Sequence, residues 1–233
     1  MAPAGEHAEE TMIPDTLDPA RTALLVFDLL HGHVNKDAST RARFEPVITQ
    51  AKLLLDAIRQ AGCMVAYAHA DHRADRATSA VILRDTDNRL RPIAAGEAAS
   101  HKPLLTGGTA QTRIIEELAP RHEDYLIPKH RWSAFHGTYL DLALRTRGIQ
   151  NLVLCGGSTD VGVASTAYAA RDLDYQVVIA SDACTSPETD NHDQFMARIF
   201  PRMSRVRSVA QVLEMLQGDA GYQPALARRQ RAT

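Results

Sequence analysis

Residues 151–172, NLVLCGGSTDVGVASTAYAARD, decide the fold of this chain. An apolar run over 151–155 reads as a buried strand, a turn of small residues follows, and a helix opens within TDVGVAS. A strand that turns directly into a helix leaves the first helical N–H groups free and sets the positive end of the helix dipole against the turn. In open parallel sheets ligands bind at such junctions. The turn carries no thiol and no histidine, and Asp160 is its carboxylate.

Working outward, the same alternation repeats. Short apolar runs predict strands over 22–28, 63–69 and 175–181, beside that at 151–155, and the repeat of the unit places two more, over 124–129 and 204–208. Helical spacing predicts helices over 44–62, 110–120, 138–148, 160–173, 190–200 and 209–216, with Gly62 and Gly148 as stops and Thr138 as a cap. The connection over 70–109 is long for such a chain, which marks it as functional. Six strands alternating with helices imply right-handed crossovers and a parallel sheet. One domain is expected over 15–217, with flexible tails at 1–14 and 218–233; the Arg228, Arg229 and Arg231 cluster falls in the second.

Composition narrows the function. The 233 residues are 45% hydrophobic, enough for one sizeable core, and 26 basic against 28 acidic groups give a formal charge of −2. Neither nucleic acid nor a membrane surface is therefore expected as partner. Three scattered cysteines, Cys63, Cys155 and Cys184, form neither a disulfide framework nor a zinc cluster. The first residues show no secretory pattern, and the expected location is cytoplasmic.

Polar residues just past the strands are the candidates for chemistry. Asp28 ends an apolar strand, where a carboxylate is poorly solvated and calls for a cation. Lys129 ends another, and an Asp–Lys pair across adjacent strand ends can share and move a proton. The plainer alternatives are a turn cap for Asp28 and a surface lysine for Lys129. His69 and Asp71 share a strand face but His72 does not, so no metal site is expected. GGSTD lacks the last glycine of a nucleophile elbow, and its glycines do not fit the dinucleotide fingerprint.

The segments LLVFD, PKHRWSAFHGTYLDLALRTRGIQNLVLCGGSTDVGV and YQVVIASDA together resemble the isochorismatase-like hydrolase superfamily, which includes isochorismatases, nicotinamidases and N-carbamoylsarcosine amidase-type enzymes. The resemblance implies an α/β, Rossmann-like, three-layer α/β/α fold with a six-stranded, mainly parallel sheet. It assigns the catalytic aspartate to Asp28 and the catalytic lysine to Lys129. It implies a cis peptide at Gly157–Ser158, and an oxyanion hole from the N–H groups of Ser158 and Gly162. The amidases' nucleophilic cysteine falls on Gly162, which supplies only its backbone N–H and is expected to leave space for water or substrate. Isochorismatases also carry glycine there and protonate a vinyl ether so that water adds; Asp160, by contrast, is similar to the amidase branch. His31, His33, Arg73, Arg131, Trp132 and His136 are expected around the mouth, for a small, anionic substrate. No cofactor or metal is expected, and the assembly is expected to be a homo-oligomer. Two alternatives stay open: an amide or ureide C–N hydrolase whose cysteine at 162 is lost or replaced, and a catalytically silent metabolite- or partner-binding relative.

Overall fold

The computed structural model describes residues 15–75, 77–78, 83–84, 91–92 and 105–218. Apart from Gly218, the expected tails lie outside them, as does most of the long connection over 70–109. The strands of the main sheet are β1 (Thr22–Phe27), β2 (Met64–Ala70), β5 (Tyr125–Lys129), β6 (Asn151–Gly157), β7 (Gln176–Thr185) and β8 (Arg205–Arg207). Their order is β5-β2-β1-β6-β7-β8, and every pairing is parallel. A separate antiparallel pair joins β3 (Leu83–Arg84) to β4 (Arg91–Pro92).

All residues of β1 and β6 are buried, because both are interior strands covered on two faces. Alternation splits their side chains between two cores. Leu24, Val26, Val153 and Cys155 pack with Phe44, Ile48 and Leu55 of α2 (Ala38–Gln60) and Val209 and Val212 of α6 (Val209–Gln217). Leu25, Phe27, Leu152 and Leu154 pack on the opposite face with Leu140 and Leu144 of α3 (Leu140–Thr146) and Ala164 and Ala167 of α4 (Ala164–Asp172). These are the three layers the resemblance implied. Among the described residues no helix is long and apolar enough to cross a membrane.

Several expected boundaries shift for physical reasons. Helix α2 starts at Ala38 rather than 44, because the Asp37 carboxylate accepts the Thr40 N–H as an N-cap ahead of a largely exposed first turn. The expected helix over 110–120 is two short 3₁₀ turns, Ala110–Thr112 and Glu116–Leu118. Between them the chain pairs with the segment after β1 instead: Ile114 bridges Leu30, and the Ile115 N–H donates to the Leu29 carbonyl at 3.1 Å. The expected helix over 190–200 breaks into α5 (Thr189–Gln194), a π-helical turn and a 3₁₀ turn. Strand β7 continues past 181 to Thr185, so Asp182 lies within it and accepts the Val209 N–H, at the start of α6, at 2.8 Å. Gly62 and Gly148 stand past their helices at φ +76° and +67°, as expected of stops.

Where α2 meets the segment before β5, Arg59 forms an ion pair with Asp124, whose side chain is 4% exposed, and also donates to the Tyr67 hydroxyl at 3.2 Å. Removing one member of a buried pair strands the other charge. Asp124→Ala is expected to lower the unfolding free energy by about 3–5 kcal/mol, measured by urea denaturation. A loss below about 1 kcal/mol would mean that water already screens the pair.

Candidate active site

Phe27 is the last residue of β1, and Asp28 follows it at φ +50°, a left-handed conformation in which Asp is enriched over most residues. Its N–H donates to the Ala68 carbonyl at 2.9 Å. The turn aims the carboxylate across the sheet. One oxygen accepts the Ala70 N–H at 2.9 Å, and the other accepts from the Lys129 ammonium at 2.6 Å. Asp28 is 8% exposed and Lys129 5%. The pairing expected from the sequence is therefore present, but not between adjacent strands. β2 lies between β1 and β5, and the lysine reaches over the end of β2, where its register partner is Ala70. Strands two positions apart stand roughly 9–10 Å from each other, a span that a lysine side chain crosses above a small residue. The Lys129 ammonium also sits 4.6 Å from the centroid of the Phe27 ring.

The other wall comes from the opening stretch. Gly156, at φ +118°, lies against β1 so closely that a Cβ there would stand 2.1 Å from the Phe27 carbonyl oxygen. The Gly157–Ser158 peptide is cis. The expected helix over 160–173 starts with a π-helical turn, Thr159–Val163, and becomes α4 at Ala164. Asp160 is enclosed by donors: the Ser158 hydroxyl, the Ser186 hydroxyl at 2.6 Å and the Asn191 amide at 2.8 Å. Burial alone would raise its pKa, but these three hydrogen bonds outweigh it and hold the carboxyl below the usual range. Thr159 is tied in turn to His192 at 2.9 Å.

Between these walls lies a cleft of about 1100 Å³. Asp28, Lys129, Gly157, Ser158 and Gly162 line it, as do His33, Arg131, Trp132 and His136. Two expected mouth residues are elsewhere. His31 is paired with Glu116 at 3.0 Å and Asn35 at 2.9 Å, and Arg73 is exposed and paired with Asp75 at 2.6 Å; neither lines the cleft. Local partners hold both side chains away from it. His72 and His130 line it with ring centroids 5.8 Å apart. Burial first, and then His130, push the His72 pKa down, which favours a neutral ring.

Gly162 does not leave the open space expected of it. An ideal Cβ at this position would lie 2.2 Å from Cε1 and 2.6 Å from Cζ of Phe27, so the ring already fills that place. All three cysteines are buried and none lines the cleft. Burial pushes the Cys63 thiol up to about 11, the Cys184 thiol up to about 12 and the Cys155 thiol well above its ordinary value. Among the described residues no group of three His, Cys, Asp or Glu is placed to hold a metal ion. The sequence reading missed Phe27, Ser186 and Asn191. The last two stand just past β7, and ending that strand at 181 hid them.

Residues 22–211 match the isochorismatase domain. The chain is 32% identical over 200 residues to YwoC, an uncharacterized isochorismatase family protein of Bacillus subtilis, covering 86% of this chain and 96% of the relative. It is 34% identical over 186 residues to the ureidoacrylate amidohydrolase RutB of Rhizobium rhizogenes, covering 73% of this chain and 72% of that one. An isochorismatase family protein of Burkholderia thailandensis superposes with a TM-score of 0.73 at 30% identity, over 87% of this chain and 98% of the other. The chain belongs to the isochorismatase family. It is a hydrolase.

Asp160 gives a test of how the loop is held. Its carboxyl titrates lower in the folded chain than its ordinary 3.8, so its contribution is present above that pH and is lost as pH falls through the folded value. Asp160→Ala is expected to cost about 1–3 kcal/mol at pH 7 by chemical denaturation. The gap from the parent should narrow below pH 3.8, where the parent carboxylate also takes up a proton. A gap that is constant with pH would show that the charge is not what holds the loop.

Proposed function

We propose that this hydrolase cleaves a vinyl ether in a small anionic metabolite, by acid–base chemistry at Asp28 and Lys129 and direct attack of water. The observation that carries it is the buried Asp28–Lys129 pair on the cleft wall, facing a glycine at position 162 that is backed by an aromatic ring. The pair can hold and move a proton, and the position opposite offers no side chain to form a covalent intermediate.

The steps follow from those groups. Asp28, carrying a proton, gives it to the terminal alkene carbon, and the alkene electrons form the new C–H bond. The adjacent carbon becomes an oxocarbenium ion, which water attacks while its proton passes back to the Asp28 carboxylate. The hemiketal so formed collapses, the C–O bond breaks, and an alcohol and a ketone leave. The net change is the addition of one water. Lys129 stabilises Asp28 as a carboxylate each time the proton departs. The substrate's own negative charge would meet Arg131 and the imidazoles, since Asp28 and Asp160 are answered by their own partners, and it would have to lie away from Glu188, the third carboxylate of the lining.

One observation favours a second reading, hydrolysis of an amide or ureide C–N bond. It is the 34% identity to an enzyme named as a ureidoacrylate amidohydrolase. Here Asp28 would take the proton of the attacking water, and the N–H groups of Ser158 and Gly162 would meet the charge on the carbonyl oxygen.

A panel of vinyl ethers, amides and ureides assayed with the purified protein separates the two, because only one bond class should turn over. On the best substrate, Asp28→Asn keeps an acceptor for the Ala70 N–H and is expected to reduce kcat about a hundredfold or more. Near-parental turnover in this variant would sink the mechanism. Intact mass during turnover should remain that of the unmodified chain, and a substrate adduct on any side chain would exclude direct water attack.

A further inference from the structure

We infer that Phe27 determines the route of the reaction: its ring occupies the volume that a nucleophilic side chain at position 162 needs, and so closes the covalent path. The role so assigned rests on the water route proposed above.

Phe27 is 1% exposed, and its ring is clamped from several sides. Its backbone pairs in register with Gly156, whose own approach to the Phe27 carbonyl admits no side chain. The Lys129 ammonium lies 4.6 Å from the ring centroid, and that ammonium is in turn held by Asp28. The ring edge meets Gly162, where a Cβ would come within 2.2 Å of Cε1, 2.6 Å of Cζ and 3.2 Å of Cδ1. The first two separations are closer than non-bonded carbons tolerate, so ring and side chain exclude one another. Replacing Gly162 alone therefore cannot build a working nucleophile while the ring stays. Swinging the ring away would take the electron-rich aromatic face from the Lys129 ammonium. Leucine at 27 would lack Cε1 and Cζ, the two atoms in conflict.

p-Nitrophenyl acetate tests this without any natural substrate. A thiol introduced at 162 would attack the acetyl carbonyl; the C–O bond breaks, nitrophenolate leaves with the electron pair, and the thiol proton passes to solvent. Gly162→Cys alone is expected to melt about 3–10 °C below the parent and to gain no acetyl group on the peptide carrying position 162. Adding Phe27→Leu, or Phe27→Met made beside it, should recover part of the melting temperature. It should also give a burst of nitrophenolate and acetylation at that peptide at least about tenfold faster than in the single variant.

The inference is overturned if Gly162→Cys alone melts like the parent and is acetylated as fast as the double variants. It is equally overturned if neither replacement of Phe27 restores folding or reactivity. The two failures are distinguishable: a substrate adduct on the parent chain would remove the water mechanism yet leave the exclusion between ring and thiol standing. Equal acetylation with and without the ring would remove the role of Phe27 and leave the water mechanism untouched.

Discussion

The buried pair of Asp28 and Lys129 is the interaction on which the rest of the site depends. Each ion loses most of its water, a penalty of several kcal/mol apiece, and is held in the fold by the charge of the other. The carboxylate has one oxygen on the Ala70 N–H and the other on the ammonium. Three features of the fold serve that geometry. The strand order puts β2 between the partners, the end of β2 is an alanine low enough for a lysine to pass over, and Asp28 turns at positive φ to face across the sheet. A bulky side chain at position 70 would separate the pair even with every strand in place.

The second constraint is the crowding of β6 against β1. Gly156 lets the two backbones touch, and Gly162 lets the next helix settle on the Phe27 ring. The chain thereby brings an aromatic face, an ammonium and a carboxylate to one point at the strand ends. The loop that completes the wall is fixed by the segment past the neighbouring strand β7, where Ser186 and Asn191 hold Asp160. Residues 186–191 thereby hold the cleft wall, although they belong to a different crossover.

Much of this was legible in the sequence, and what was not has definite causes. Apolar runs announced β1, β2, β6 and β7, since interior parallel strands have no polar face to confuse the pattern, while the edge strands β5 and β8 were placed by the alternation of strands and helices. Asp28, Lys129 and the 157–162 loop were legible because chemistry in such sheets lies past strand ends. Strand order was not: adjacency of β1 and β5 was assumed, and nothing in the residues at 28 or 129 says that β2 intervenes. The 110–120 segment has helical spacing, yet pairing with the backbone after β1 captured it, a tertiary contact invisible to local periodicity. The ring against Gly162 was hidden for the same reason. Phe27 reads as one more core residue of β1, and only the register of β6 brings it to the loop.

Three carboxylates line the cleft, Asp28, Asp160 and Glu188, and the first two stand in different surroundings. Asp160 accepts from hydroxyls and an amide, neutral donors that stabilise the anion but have no proton to give up at ordinary pH. Its lowered titration follows, and it suits a carboxylate that anchors a loop. Asp28 faces a lysine ammonium, a partner that is itself an acid, on a wall from which water is largely withdrawn. On the reading proposed above, the carboxylate held by neutral donors anchors and the one held by an ammonium reacts. The anchor is tied to the loop of the opening stretch, and Asp28 is held by the lysine whose ammonium lies against the Phe27 ring.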